Sequence, residues 1–517
     1  MTSDDVVEVG SNAAESVNSQ IRGSSVLMVG RVASIFVNLL VQALIARGLT
    51  KDEFGQFAYA LSLVMTIATF ITLGIDRAVP RFVALYDERK EWGHLAGTLL
   101  IQLSTILTLG SFAVIGVLGF QSWISDVAID DSRVTAVLVI LVFLAPIQAL
   151  DQVAVAMFAV YAKPSAIFVR RYLMTPAMRL LVVVLLVVGD RGPKFLALGY
   201  VVTGLLGIVV YAALLWPLLR QQRLIENVRS TGLSMPWRAV LGYSLPLMTS
   251  DLLFAVLNTS DVVLLGRYRD SEAVAAYRVV LPAAKLNQFV MASFALLFVP
   301  MVSRLLERGD RDGVSELYWR TAAWIAVATF PIFALTFTMA DDLSAAMFGE
   351  IYRSSGTYLA LLSLGYYFNA ALGFNGLTVK TAGRVGYTIA ISLVAVVMNI
   401  GLNLLLIPQF GPTGAAVATL STLIAHNLLK QAGLRMGTGI PLYPAKMMWP
   451  YGVIVVATVG LYAAIHLLDL SLLVGFVLAT VVSLGVLRAT RSHLHVLDVF
   501  PEMSRLPFAE KLLGRSS

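Results

Sequence analysis

Residues 24–47 read SSVLMVGRVASIFVNLLVQALIAR, a nearly unbroken apolar run whose length decides the fold. A bilayer core about 30 Å thick needs about 20 helical residues to cross it, at about 1.5 Å of rise each. Moving outward along the chain, further runs of the same kind follow with little between them. The expected spans are 24–47, 56–75, 94–119, 134–158, 172–189, 195–219, 240–265, 273–299, 320–340, 356–378, 387–407, 412–434, 447–467 and 470–488. The chain therefore reads as an all-α, polytopic membrane protein with about fourteen transmembrane helices.

Composition points the same way. Of 517 residues, 58% are hydrophobic and 13% charged, and the mean hydropathy is +0.80. Soluble domains carry about 25% charged residues, so the deficit marks lipid-embedded sequence. Cysteine is absent, which excludes disulfides, thiolate metal sites and cysteine nucleophiles. The basic pI of about 9.4 comes from Lys and Arg in short linkers and not from a compact basic domain, so no nucleic-acid partner is expected. Residues 1–23 form a polar, acidic tail without the basic start of a cleaved signal peptide, and the first span is expected to be retained. The closing tail, 489–517, either carries a short surface helix at 508–513 or is a frayed end.

The even-numbered linkers hold the cations: Arg77, Arg81, Arg89 and Lys90; Lys163, Arg170 and Arg171; Arg220, Arg223, Arg229 and Arg238; Arg304, Arg308, Arg311 and Arg320. The odd-numbered linkers are poorer in them and contain Asp126, Asp130, Asp131, Asp341 and Asp342. An even number of crossings with this bias places both termini in the cytoplasm, in the cell (inner) membrane.

A duplication is also present. Glu53 and Glu272 lie 219 positions apart, as do Gly192-Pro193 and Gly411-Pro412; Pro80 and Pro300 lie 220 apart. Each repeat spans six crossings, so the two are parallel repeats, with the last two helices outside them. Such repeats usually pack about an axis along the membrane normal. The expected organisation is a cytoplasmic tail (1–23), an N-lobe (24–222), a cytoplasmic linker (223–238), a C-lobe (239–436), two further helices (437–488) and a cytoplasmic C-terminal tail (489–517).

Charges within spans cost about 2.5–3.5 kcal/mol each on insertion scales and call for a reason. The first span carries Arg31, Asn38 and Gln42; the fourth Asp151 and Gln152; the fifth Arg179. The seventh has Asp251, Asn258 and Asp261, and the eighth sets Arg278, Lys285 and Gln288 on one face. Arg31 and Lys285 read as facing a cavity. For Arg31, Arg278 and Lys285 the alternative is snorkelling or an ion pair with Asp251 or Asp261. Asp251 reads as ordering helix packing or as carrying protons. The asparagines, Asn399 and Asn403 among them, read as interhelical contacts, and His426 as a buried polar contact. Prolines 246, 282, 300 and 331 mark kinks that suit bending helices or simply shape packing.

No Walker-type phosphate loop, metal-spaced His pair or hydrolytic triad is evident, so no catalytic or metal-binding residue is expected. The short extracytoplasmic linkers also argue against a membrane polymerase or glycosyltransferase of lipid-linked sugars. Without an ATPase domain, transport would be driven by an ion gradient (H+ or Na+), by a substrate gradient or by a partner, and no organic cofactor is expected.

The segment GRVASIFVNLLVQALIARGLTKDEFGQFAYALSLVMTIATFITLGIDRAVPRFVALY resembles the N-terminal part of polysaccharide-export flippases of the multidrug/oligosaccharidyl-lipid/polysaccharide exporter superfamily. Its most specific elements are L-x-x-x-E-F-G-x-F at Leu49–Phe57 and G-x-x-R-A-x-x-R-F-V-A at Gly74–Ala84. YSLPL, NTSDVVLLG and NIGLNLLLIPQFGPTGAAVAT look like the C-terminal domain of the same family. The resemblance implies two six-helix lobes around a central cavity that opens alternately to the two membrane faces. It implies outward movement of a prenyl-phosphate- or prenyl-pyrophosphate-linked oligosaccharide, with membrane lipids around it and polysaccharide-assembly enzymes as partners. In the related lipid II flippases cations of the first and eighth helices matter, and Arg31, Arg278 and Lys285 occupy comparable helices. They are the expected phosphate-binding residues, with Asn38, Gln42, Asp251, Asn258, Asp261 and Gln288 as polar binding or coupling residues. An ion-coupled multidrug exporter is the rival within this fold; the first span offers it Arg31 and no acid, while Asp251 and Asp261 keep it open in the C-lobe.

Overall fold

A computed structural model describes residues 30, 33–161, 164–221 and 224–494. Arg31, the 1–23 tail and the expected surface helix at 508–513 lie outside the described residues, as does almost all of the closing tail. Among the described residues there is no β-strand.

Contacts divide the chain into two compact units, Met1–Thr259 and Ser260–Ser517. The first holds α1 (Ala33–Gly48), α2 (Lys51–Thr72), α3 (Ile75–Glu88), α4 (Trp92–Gly119), α5 (Ser132–Leu141), α6 (Leu144–Val160), α7 (Thr175–Val188), α8 (Pro193–Gln221), α9 (Leu224–Thr231) and the first part of α10 (Trp237–Tyr268). The second takes the end of α10 and then α11 (Ser271–Ala284), α12 (Leu286–Glu307), α13 (Arg311–Thr338), α14 (Ala340–Phe348), α15 (Gly356–Ala371), α16 (Asn375–Thr381), α17 (Val385–Phe410), α18 (Pro412–Thr438), α19 (Met448–Leu467) and α20 (Leu472–Leu494).

Each of the fourteen expected spans overlaps helix. Ten helical stretches among the described residues are long and apolar enough to cross a membrane, two of them, Lys51–Glu88 and Ser132–Val160, each joining two helices. Of the first span, the described residues include the apolar helix α1. The eighth is divided into α11 and α12 at Lys285, and the tenth into α15 and α16. Outward faces carry large apolar side chains such as Phe112, Val188, Val397 and Val456, each more than 60% exposed, as lipid-facing positions require. Polar side chains turn inward, including Gln102, Asn287, Asn403 and Asn427, which are all buried.

Linkers of like parity meet within each unit. In the first, Arg133 at the start of α5 pairs with Asp52 at the start of α2 and with Asp131, and Ser234 before α10 bonds the ring of His94 in α4. In the second, Arg269 donates to the Pro408 carbonyl at 2.7 Å. These contacts are what alternate crossings demand. At an exposed turn of the second unit, Arg353 bonds Glu350 and Asp342. That hydrogen bond holds the Glu350 carboxyl below the ordinary carboxylate range.

The repeat landmarks fall on helix starts and kinks. Thr50 and Glu53 form a reciprocal cap at α2: the Thr50 hydroxyl accepts from the Glu53 amide, and the Glu53 carboxylate accepts from the Thr50 amide at 3.0 Å. Asp270 caps α11, accepting from the Ala273 amide at 2.8 Å, with Glu272 in the first turn. Gly192-Pro193 and Gly411-Pro412 open α8 and α18, where proline suits a first turn. Pro80 and Pro300 lie inside α3 and α12.

Gly74 separates α2 from α3 with φ +68°, and a Cβ there would come within 2.9 Å of the Ser244 carbonyl and the Met248 amide of α10. The close approach seats α10 on a core of Ile75, Val79, Val83, Leu95, Ile101 and Val240. Gly74→Ala is therefore expected to cost about 1–3 kcal/mol through backbone strain, with the displacement of α10 added. A lower thermal-unfolding midpoint in detergent is the expected reading; an unchanged midpoint would show that the approach is not tight.

Candidate functional site

In the second unit the polar interior is built around Asp261. This carboxylate, 5% exposed, accepts from the Asn403 amide at 2.6 Å, the Asn399 amide at 3.3 Å, the Thr419 hydroxyl at 2.6 Å and the Tyr277 hydroxyl at 2.7 Å. Ser260 donates to the Asn399 amide oxygen at 2.7 Å. α10, α11, α17 and α18 thus meet on one acid. Asn399 and Asn403 are the interhelical contacts that the sequence suggested, and a fully bonded carboxylate is the form in which a buried charge is tolerated.

Lys285 sits at the break between α11 and α12, three residues after Pro282. Its ammonium lies 5.5 Å from the centroid of the buried Tyr366 ring, a cation–π distance. Arg278 and Asp261 are within electrostatic reach of it. Arg278 and Gln288 are both half-buried. The eighth-span stripe read from the sequence is therefore interrupted by the helix break, with Lys285 at the hinge and Asp261 nearby.

The remaining expected residues lie in the first unit. Asp251 on α10 pairs with Arg77 at the start of α3, a partner that the Gly74 approach brings alongside. The sequence had offered Asp251 to Arg31, Arg278 or Lys285 instead. Asn258 donates to the Phe254 carbonyl on its own helix, and Gln42 is half-buried on α1.

Asn38, whose amide donates to the Ser34 carbonyl at 2.7 Å, lines a cavity of about 280 Å³ with Gln148, Asp151, Gln152, Arg170 and Arg179. Asp151, Gln152 and Arg179 stand out in the sequence as isolated intramembrane polar groups; the fold brings them together. Arg170 and Arg171, read from sequence as linker cations, join them there. Both belong to a π-helical turn, Phe168–Met174, that leads into α7. Such turns recur at functional sites. The Thr175 hydroxyl donates to the Arg170 carbonyl at 2.8 Å, supporting the widened turn.

Arg170 pairs with Asp151 at 3.1 Å and lies 5.5 Å from the Tyr211 ring centroid, while Arg179 lies 4.8 Å from that of Tyr200. Gly207 of α8 makes room for Arg170: a Cβ there would overlap the guanidinium. No group of three or more His, Asp or Glu placed to hold a metal ion occurs among the described residues.

A family profile described as polysaccharide biosynthesis protein matches residues 21–306, and a second, MatE, matches residues 246–405. An uncharacterized membrane protein of Methanocaldococcus jannaschii is 24% identical over 408 residues, covering 74% of this chain and 77% of that protein. The probable low-salt glycan biosynthesis flippase Agl15 of Haloferax volcanii is 21% identical over 224 residues, 43% of this chain and 48% of its own length. Among solved structures, the lipid II flippase MurJ in an inward closed conformation superposes with a TM-score of 0.66 at 12% identity, covering 89% of this chain and 97% of MurJ. An inward-facing multidrug resistance MATE family transporter gives 0.61 at 13% identity, covering 78% and 94%. At these identities the structural likeness establishes the fold, that of the MurJ- and MATE-like transporters. With more than half of its length matched by the first profile, the chain belongs to the polysaccharide biosynthesis protein family, the polysaccharide flippase branch of the multidrug/oligosaccharidyl-lipid/polysaccharide exporter superfamily.

Proposed function

We propose that this protein moves a prenyl-phosphate- or prenyl-pyrophosphate-linked oligosaccharide from the cytoplasmic to the outer leaflet by alternating access, for assembly of a surface polysaccharide or glycan. One observation carries the reading: Lys285, at the break between α11 and α12, lies within electrostatic reach of Arg278 and of an acid, Asp261, that four neutral donors already engage. A sugar linked through phosphate brings negative charge into a low-dielectric slab, and cations at that depth stabilise it with charge-assisted hydrogen bonds. Arg31 is likewise proposed to bind phosphate, and Asn38, Gln42, Asn258 and Gln288 to meet sugar hydroxyls. Membership of the flippase branch and the likeness to Agl15, a probable glycan biosynthesis flippase, support the same substrate class.

The alternative, extrusion of cationic drugs, would need an available acid deep in a unit. Asp151 is paired with Arg170 and Asp261 is enclosed by amides and hydroxyls, which favours the anionic substrate. The cation-rich even-numbered linkers support a cytoplasmic placement of both termini, in the cell membrane. No chemical step on the substrate is proposed.

Depletion of the protein tests the reading in cells. Lipid-linked repeat units should then accumulate where an external, membrane-impermeant lectin does not reach them. Single units displayed on the outer leaflet would indicate a polymerase, and altered dye efflux with normal surface glycan a drug exporter; either result would overturn the proposal.

A further inference from the structure

The cavity of the first unit holds neither Lys285 nor Arg278, and its charge is mainly of one sign. Three guanidinium groups, on Arg170, Arg171 and Arg179, line it with a single carboxylate, Asp151. That carboxylate is already paired with Arg170, so positive charge is left over. Each arginine in a membrane span carries an insertion cost, and three around one small space exceed what a structural pair with Asp151 explains.

Hydrogen bonding shows the same excess. The Nε atoms of Arg170, itself only 5% exposed, and of Arg179 are buried and donate to no partner among the described residues; the one buried unbonded acceptor in the cavity is Asp151 Oδ1, which the ion pair with Arg170 engages. A buried donor left unpaired is unfavourable by about 1–3 kcal/mol. The aromatic faces of Tyr211 and Tyr200 hold the two guanidiniums without using their N–H groups. Gly207 keeps the space that Arg170 occupies. Apart from the Asp151 pair of Arg170, ring contacts position both side chains, leaving their Nε donors for something else.

We infer that this cavity is a binding site for an oxyanion, phosphate or carboxylate, carried on a sugar-sized ligand. Planar guanidinium forks match the geometry of both anions. At about 280 Å³ the space exceeds a lone phosphate and stands near the lower end, about 300 Å³, of small-molecule pockets. Asn38, Gln148 and Gln152 on its wall are suited to hydroxyl groups beside the anion.

The test is direct binding to the full-length protein in detergent, measured by titration calorimetry with glucose 1-phosphate, glucuronate and glucose. At least one anionic probe should bind and glucose should not. The tighter of the two anions identifies the source, a phosphate-linked head group or an acidic sugar. Arg179→Gln should weaken the binding by about tenfold or more, the loss expected for a charge-assisted bond. Gly207→Ala, which pushes the Arg170 guanidinium aside and leaves every charge in place, should weaken it as well. If Arg179→Gln does not fold, the charge-balanced pair Asp151→Asn with Arg170→Gln replaces it, with the same expected loss. Absence of binding by both anions, equal binding of glucose, or unchanged affinity in these variants would overturn the inference. Because the readout is binding alone, it fails or succeeds separately from any transport assay.

Discussion

Replacing Lys285 and Arg278 together by alanine is expected to lower outward movement of a prenyl-pyrophosphate-linked sugar by about 100-fold or more, as two charge-assisted contacts of about 1.5–3 kcal/mol each would imply. Abundance and membrane insertion should stay near wild type, because removing charges from a membrane helix relieves an insertion cost. The measurement is the flipping rate in proteoliposomes, with protein content matched by immunoblot. Single variants should lose less, and Lys285→Arg should retain more than Lys285→Ala if charge at the α11–α12 hinge is what matters. Normal flipping by the double variant would remove the assigned role of these cations.

The second large effect concerns stability. Asp261→Leu would remove the acceptor shared by the amides of Asn399 and Asn403 and the hydroxyls of Tyr277 and Thr419, leaving only the weaker Asn403–Asn399 and Tyr277–Thr419 bonds at 3.2 Å among them. Unpaired buried donors are unfavourable by about 1–3 kcal/mol each, and a typical domain is stable by only about 5–15 kcal/mol in total. The variant is expected to be lost from the membrane or to elute as aggregate. Asp261→Asn keeps the size and one acceptor oxygen and should remain folded with a lower unfolding midpoint. Fluorescence-detected size exclusion and thermal melts separate the two. An Asp261→Leu protein as stable as wild type would show that the α10, α11, α17 and α18 junction does not depend on this acid.

How much of this was legible in the sequence differs between fold and site. Span positions follow from apolar length alone, since backbone groups in lipid leave helix as the economical solution and about 20 residues as its length. Landmarks such as Glu53 and Glu272 were legible as a repeat, and the structure shows both in the first turns of their helices, where a carboxylate meets free amides. Convergence was less visible. Nothing near Asp261 in the chain announces Asn399, Asn403 or Thr419, which lie about 140–160 residues later, so a saturated acid read as an available one.

The arginine cavity was hidden for another reason. Charge ends an apolar run, so Arg170 and Arg171 were assigned to a linker. The π-helical turn instead carries the helix through them and turns Arg170 inward, against Tyr211 and Asp151. Arg179 was visible as an anomaly, but its neighbours on α6 and α8 were not. A mid-span charge can be recognised from sequence by its cost; what offsets that cost becomes visible only through tertiary contact.

The most direct measurement compares two lipids in proteoliposomes containing the wild-type protein: the same oligosaccharide joined to the same prenyl chain through pyrophosphate or through an uncharged ether. Recognition by intramembrane cations predicts rapid movement of the pyrophosphate lipid and background movement of the ether. Equal rates for both would contradict it.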